Sequence, residues 1–375
     1  MRHHLLAFGL TLLAVTLAPA RDRWTPEKAR EWWKNRGWVS GANYLPNNAI
    51  NQLEMWQADS FDPATIDREL GWARDLGFNS MRVFLHHLPH EQDPAGFLDR
   101  VDKFLAIAAR HKIGVLFVLF DSCWDPNPIL GKQRDPKPGV HNSGWVQSPG
   151  ARDLVDAKRH AVLEQYTRGV IGRFKNDPRV DGWDIWNEPD NQNDNSYGKN
   201  WLKQEPARKV ERTLELLTQA MRWAQESDPT QPITSGVWIG QWPEDGKLSP
   251  TERVQIDQSD VISYHSYDPL DRSRKCVENL RRYNRPILCT EYMARPQGST
   301  FDPMLGYLKE QGVGAYNWGF IEGKSQTNYP WDSWQNPYKA CAGPAHPPPP
   351  EPAWGHPVSG PTLWPVTHLT EPHTA

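Results

Sequence analysis

Eight short apolar stretches alternate with helical patterns along this chain, and few folds satisfy that rhythm. The strand candidates are residues 38–44, 79–85, 113–120, 180–186, 232–238, 260–267, 286–292 and 314–320. Residues 113–120 are continuously apolar, as a strand covered on both faces requires. Helices are expected over residues 63–76, from residue 94 onward, and over residues 152–174, 204–226, 269–283 and 301–311. Asp62-Pro63 and Asp93-Pro94 open the first two with a capping carboxylate and a proline in the first turn. In the second, Phe97, Val101, Phe104, Leu105 and Ala108 recur at helical spacing. Residues 241–259 lack that period, so the fifth helix is expected to be short or irregular. The pattern predicts the α/β class, with a (β/α)8 TIM barrel over residues 21–340.

Both ends depart from it. Residues 1–20 combine Arg2, an apolar run from Leu5 to Leu17 too short to span a bilayer, and Ala18-Pro19-Ala20 at cleavage positions. That is the pattern of a signal peptide, so a secreted or periplasmic protein without membrane attachment after cleavage is expected. Residues 341–375 are rich in Pro, His and Gly, with prolines at 347–350 and no periodic apolar face. They are expected to be disordered. A regular final helix is then missing, which would leave the first and seventh helices partly uncovered.

A net charge of -3 gives no basic field for nucleic acid, and none is expected as a partner. The 19 tryptophans suit a large core, the stacking of flat ligands, or both, and indole faces fit the C–H faces of sugar rings. Cys123, Cys276, Cys289 and Cys341 are too few for a disulfide scaffold, and Cys289 reads as a core residue. No Cys-x-x-Cys or His-Glu-x-x-His pattern occurs, so no zinc and no cofactor are expected. The chain is expected to act as a monomer.

The chemistry concentrates at two strand ends. In residues 182–190, Pro189 cannot donate to a ladder, so the strand stops with Asn187 and Glu188 at its carboxyl end. Residues 286–292 likewise run into Glu291. Parallel barrels collect their reactive groups at that end. Two such carboxyls are what glycoside hydrolysis needs: one protonates the leaving oxygen, the other attacks the anomeric carbon or activates water. The long loop over residues 121–150 carries Trp124 and Trp145, and a substrate-lining role is expected of it.

Trp183-Asp184-Ile185-Trp186-Asn187-Glu188-Pro189 and Leu288-Cys289-Thr290-Glu291-Tyr292 resemble the two catalytic motifs of the retaining barrel glycosidases, in particular the cellulase-like glycoside hydrolase family 5. The resemblance spans about residues 38–338. It implies that Glu188 is the general acid/base and Glu291 the nucleophile, with Arg82 beside it. It implies further that Asn187 bonds the sugar 2-hydroxyl, that His265 and Tyr267 stand by the pair, and that Trp318 floors the reactive subsite. Many members carry a histidine where this chain reads Phe120-Asp121-Ser122-Cys123; His86 or His87 is expected to serve a related purpose, His86 ranked first. Tyr329 to Trp334 has no obvious counterpart; its indoles line the groove or cap the barrel edge. The implied activity is secreted, retaining hydrolysis of a β-linked polysaccharide of the cellulase, mannanase or xylanase kind. An exo-acting β-mannosidase-like enzyme and a non-catalytic carbohydrate-binding barrel stay open as alternatives.

Overall fold

The computed structural model describes residues 20–194 and 205–338; the signal-peptide pattern up to residue 19 and the whole proline-rich stretch from residue 341 lie outside the described residues. The strands are β1 (Ser40–Asn43), β2 (Ser80–Phe84), β3 (Gly114–Asp121), β4 (Val180–Asn187), β5 (Ile233–Thr234), β6 (Ile262–His265), β7 (Ile287–Tyr292) and β8 (Gly314–Asn317). Every ladder is parallel, in the order β5-β4-β3-β2-β1-β8-β7-β6. β5 is much shorter than expected because the Ser235 N–H turns to the Ser259 hydroxyl instead of the ladder (3.1 Å). One bridge spans the remaining gap: Val237 N donates to Ser263 O and His265 N to Val237 O (3.1 and 2.9 Å). Eight parallel strands thus form a nearly closed barrel with helices between them.

The helices are α1 (Pro26–Arg36), α2 (Gln52–Trp56), α3 (Pro63–Asp75), α4 (His87–Gln92), α5 (Pro94–Arg110), α6 (Ala151–Val155), α7 (His160–Phe174), α8 (Lys209–Glu226), α9 (Pro250–Gln258), α10 (Leu270–Leu280) and α11 (Phe301–Glu310). α3, α5 and α7 to α11 are the crossovers; α2, α4 and α6 sit in the loops after β1, β2 and β3. α5 shows why these segments hold. The Asp93 carboxylate accepts from Gly96 N, and the helix buries Phe97, Val101, Phe104, Leu105 and Ala108. Each large apolar side chain there contributes about 1.5–3 kcal/mol by leaving water. The short fifth helix is α9, closed by a capping box between Ser249 and Glu252.

Three expectations need correction. The helix over residues 152–174 is broken at Asp156, whose backbone is extended and whose carboxylate caps Lys158 N; short acidic side chains compete with helical bonding in this way. α1 was not expected, although Thr25 caps Lys28 N and Pro26 opens the first turn. It closes the floor of the barrel, where Ala29, Trp32 and Trp33 pack against Val261 and Leu288. Arg36 grips Asp181, at the start of β4, through Nε and Nη2 (2.5 and 2.9 Å). Finally, the described chain after β8 has no α-helix, only a 3-10 turn at Trp331–Trp334, yet α3 and α11 are not bare. Ile66, Leu70, Ala73, Met304 and Leu308 are all buried, and Trp38 covers the flank of β8 with its indole N–H on Val313 O (2.8 Å).

Candidate active site

β4 ends in a twist that turns a side chain inward. Glu188 takes a left-handed backbone (φ 47°), a conformation that costs a non-glycine residue about 1–3 kcal/mol and persists only where neighbours impose it. Pro189 follows it, and Asn191 N bonds back to Glu188 O (2.9 Å). The Glu188 carboxyl then meets three groups. Asn191 Nδ2 and the Cys123 thiol donate to Oε2 (2.7 and 3.3 Å), while His265 Nδ1 lies 2.8 Å from Oε1.

Glu291, on β7, points to the same place at the carboxyl end of the barrel. Arg82 Nη1 donates to its Oε1 (2.7 Å) and the Tyr267 hydroxyl to its Oε2 (2.6 Å). His265 Nδ1 is 3.5 Å from that second oxygen, so one imidazole nitrogen touches both carboxyls. Ligand atoms of Glu188, His265 and Glu291 all lie within 4.8 Å of one another. A cation could geometrically sit among them, but Arg82 and Tyr267 already occupy both oxygens of Glu291.

The surroundings treat the two carboxyls differently. Arg82 is wholly buried and divides its guanidinium among Glu291, Asp184, Asn43 and Asn187. Its one positive charge already faces two carboxylates, those of Asp184 and Glu291 (2.8 and 2.7 Å). Glu188, by contrast, has hydrogen bonds from neutral groups only. Burial pushes the Glu188 carboxyl up, opposed by its bonds to Asn191 and Cys123. Burial also raises Glu291, opposed by His265 and Arg82 and then assisted by the Glu188 charge. His265 is pushed down to about 4 by burial, which leaves it neutral near neutral pH. The site can therefore hold one proton on Glu188 while a cation and a phenol steady a negative Glu291.

Of the other expected residues, Asn187 is brought to the pair and held by both ends of its amide: Oδ1 accepts from Arg82 (2.8 Å) and Nδ2 donates to Asp121 (2.9 Å). Trp318 is half-buried, its indole N–H aimed at His141 Nε2 (3.4 Å), and Trp124 packs edge-on to the same imidazole. His86 is a correction. It is wholly buried, with Nε2 at Gln147 O (3.0 Å) and Nδ1 accepting from Leu88 N (3.1 Å), so main-chain groups use up both nitrogens. His87 beside it lies between Ser148 Oγ and Asp153 Oδ2 (3.0 and 2.8 Å). That Ser-His-Asp set is buried beyond the reach of substrate and fastens the β3 loop.

Sequence reasoning missed Asn43, Asp121, Asp184, Asn191 and His141. Asp184 lay in plain view two positions into an apolar run, where a carboxylate needs a buried partner. Burial pushes Asp121 up to about 6, and it takes N–H bonds from Asn187, Trp145 and Cys123. Cys123, noted only for not being a histidine, sits at Glu188 itself.

Comparison with known proteins agrees with this geometry. The model of the family described as Cellulase (glycosyl hydrolase family 5) matches residues 48–324, well over half the chain. The β-mannanase from the blue mussel Mytilus edulis superposes with a TM-score of 0.53 at 19% identity, covering 75% of this chain and 86% of that one. The β-1,4-D-mannanase from Cryptopygus antarcticus gives 0.52 at 12% identity, covering 75% and 83%. At those identities the likeness is one of fold. No curated protein matches the sequence. The family match spans the strands that carry both carboxyls, Arg82 and Trp318, and by it the chain belongs to glycosyl hydrolase family 5 and is a glycoside hydrolase.

Proposed function

We propose that this enzyme cleaves β-linked oligo- or polysaccharides outside the cytoplasm by double displacement, with Glu291 as nucleophile and Glu188 as general acid and then base. The observation that carries the reading is the approach of the two carboxyls, within 4.8 Å through their nearest ligand atoms. Retaining pairs stand about 5–5.5 Å apart, whereas inverting pairs stand about 6.5–9.5 Å apart to admit a water. In the first step a Glu291 oxygen attacks the anomeric carbon, the glycosidic C–O bond breaks, and the Glu188 proton passes to the leaving oxygen. A glycosyl ester on Glu291 remains. In the second step Glu188, now a carboxylate, takes a proton from water; the water oxygen attacks the same carbon and Glu291 leaves. Asn187 stands beside the pair, held by Arg82 and Asp121, with its second amide N–H on Cys123 Sγ (3.5 Å), the bond a sugar 2-hydroxyl would have to displace. The extracytoplasmic setting rests on residues 1–20 alone.

The test is the pair of single variants. Glu291→Ala should abolish turnover. Glu188→Ala should lose about 10²–10⁴-fold on unactivated glycans, which need their leaving oxygen protonated, and far less on activated aryl glycosides. Unimpaired hydrolysis of unactivated glycan by either variant refutes the assignment.

A further inference from the structure

Three loops on one half of the reactive rim are fastened to one another. The β8 loop meets the β1 loop where Lys324 N donates to Asn47 O (2.9 Å) and Lys324 Nζ to Glu54 Oε1 (2.6 Å). The backbones approach so closely that a Cβ on Gly323 would stand 2.3 Å from Asn47 O. The β8 loop meets the β3 loop where Tyr338 N donates to Gly139 O (3.0 Å), Asn142 N to Ser325 O (2.8 Å) and Gln326 Nε2 to Lys137 O (2.8 Å). A Cβ on Gly139 (φ +71°) would lie 1.8 Å from Tyr338 O. The third side of the triangle joins β1 and β3 loops through Asn51 Nδ2 to Gly144 O (2.9 Å). The loops after β8, β1 and β3 therefore share one continuous wall.

From that wall the Trp331–Trp334 turn reaches inward. The Trp331 ring packs edge-on against Tyr267, with centroids 4.5 Å apart, and Trp334 packs on Trp124 at 5.8 Å. Tyr267 follows β6 and Trp124 follows β3, so a single turn of chain touches both sides of the barrel mouth. His141 fills the angle behind it, its nitrogens at Tyr329 O (2.7 Å) and Trp318 Nε1 (3.4 Å).

Granting the glycosidase assignment above, we infer that this wall ends the binding site directly beyond the attacked sugar, so that the enzyme is exo-acting and removes single sugars from the non-reducing ends of β-linked chains. The direction follows from the acid. The leaving group lies against Glu188, on β4, outside the fastened half-rim; the attacked sugar therefore has its back to the wall. A glycan continuing past that sugar would have to pass between backbones already in contact at Gly323 and Gly139.

The experiment uses the full chain and para-nitrophenyl β-glycosides of several sugars. The sugar whose glycoside is hydrolysed is then offered as short β-linked oligosaccharides fluorescently labelled at the reducing end, with the terminal non-reducing hydroxyl either free or methylated. The labelled chains should shorten one unit at a time, and methylation should slow them by about two orders of magnitude, since the added group would meet the wall. Equal rates on free and methylated chains, or early release of fragments longer than one sugar, overturn the inference while leaving the glycosidase assignment intact. No turnover in any arm, aryl glycosides included, overturns that assignment, and the inference with it. Trp331→Gly/Trp334→Gly should restore cleavage of the methylated chains; if that variant unfolds by circular dichroism, the comparison on the unaltered enzyme still decides.

Discussion

Cys123 does at Glu188 what a stronger donor would do elsewhere, only more weakly. Its thiol donates to the carboxyl (3.3 Å) while accepting from the amides of Asn187 and Asn191 (3.5 and 3.4 Å). A donor to a carboxylate favours the charged form, so the thiol holds Glu188 below where burial alone would put it. Cys123→Ala should move the basic limb of the kcat/KM pH profile upward, because Glu188 then keeps its proton longer. Cys123→Ser should move it downward. A structural role alone would change stability and leave both limbs in place. At this scale the residues on strand ends were legible: Glu188, Glu291, Arg82, Asn187, His265 and Tyr267 each fall where a parallel barrel gathers its side chains. Those that depend on loop conformation were not. Nothing local in Ser122-Cys123-Trp124 says that it folds back over β4, and nothing in His86-His87 says that a neighbouring loop will bury both.

Among the elements, α1 serves stability from the end of the barrel opposite the chemistry. Arg36 binds Asp181 through two nitrogens, and the same carboxylate accepts the Ser80 hydroxyl (2.7 Å), so one acid ties α1, β2 and β4 together under the barrel. Arg36→Met should cost about 2 kcal/mol, the range for hydrogen bonds to a charged group with partial exposure, read from denaturant unfolding. It should leave kcat unchanged, since Glu188 lies at the opposite end of β4. α1 carried its own signature in Thr25-Pro26-Glu27, but a helix outside the alternating rhythm is easily passed over. The break at Asp156 was harder to see, because no glycine or proline marks it. β5 was overextended because residues 232–238 look like a strand, and only Ser259, far along the chain, takes the N–H that ends the ladder.

For the molecule as a whole, the barrel was readable because eight alternations admit little else, whereas the wall around the site was not, since its contacts join loops that are neighbours only after the barrel closes. Stability also takes a pH dependence from buried acids, among them one far from the reacting pair. Glu69, on α3, is wholly buried beneath the β1 loop and accepts the Tyr44 hydroxyl (2.9 Å). Burial pushes it from its ordinary 4.5 up to about 7. The fold thus binds its proton more tightly than the open chain does, so this contribution is fully present below pH 4.5 and is lost as pH rises through about 7. Its size is about 3 kcal/mol. Glu69→Gln should flatten that part of the stability curve, as unfolding midpoints across the interval would show.

The floor of the barrel also sets an order of assembly. Arg21 and Arg36 leave the ribosome early, yet their partners Asp260 and Asp181 come 239 and 145 positions later. Contacts of such sequence separation form late, after the entropy of closing the intervening chain has been met. A nascent chain halted before β7 has no Leu288 to seat Trp32 and Trp33 against, and its underside stays wet. Completion of synthesis, more than any single helix, is what seals this cylinder.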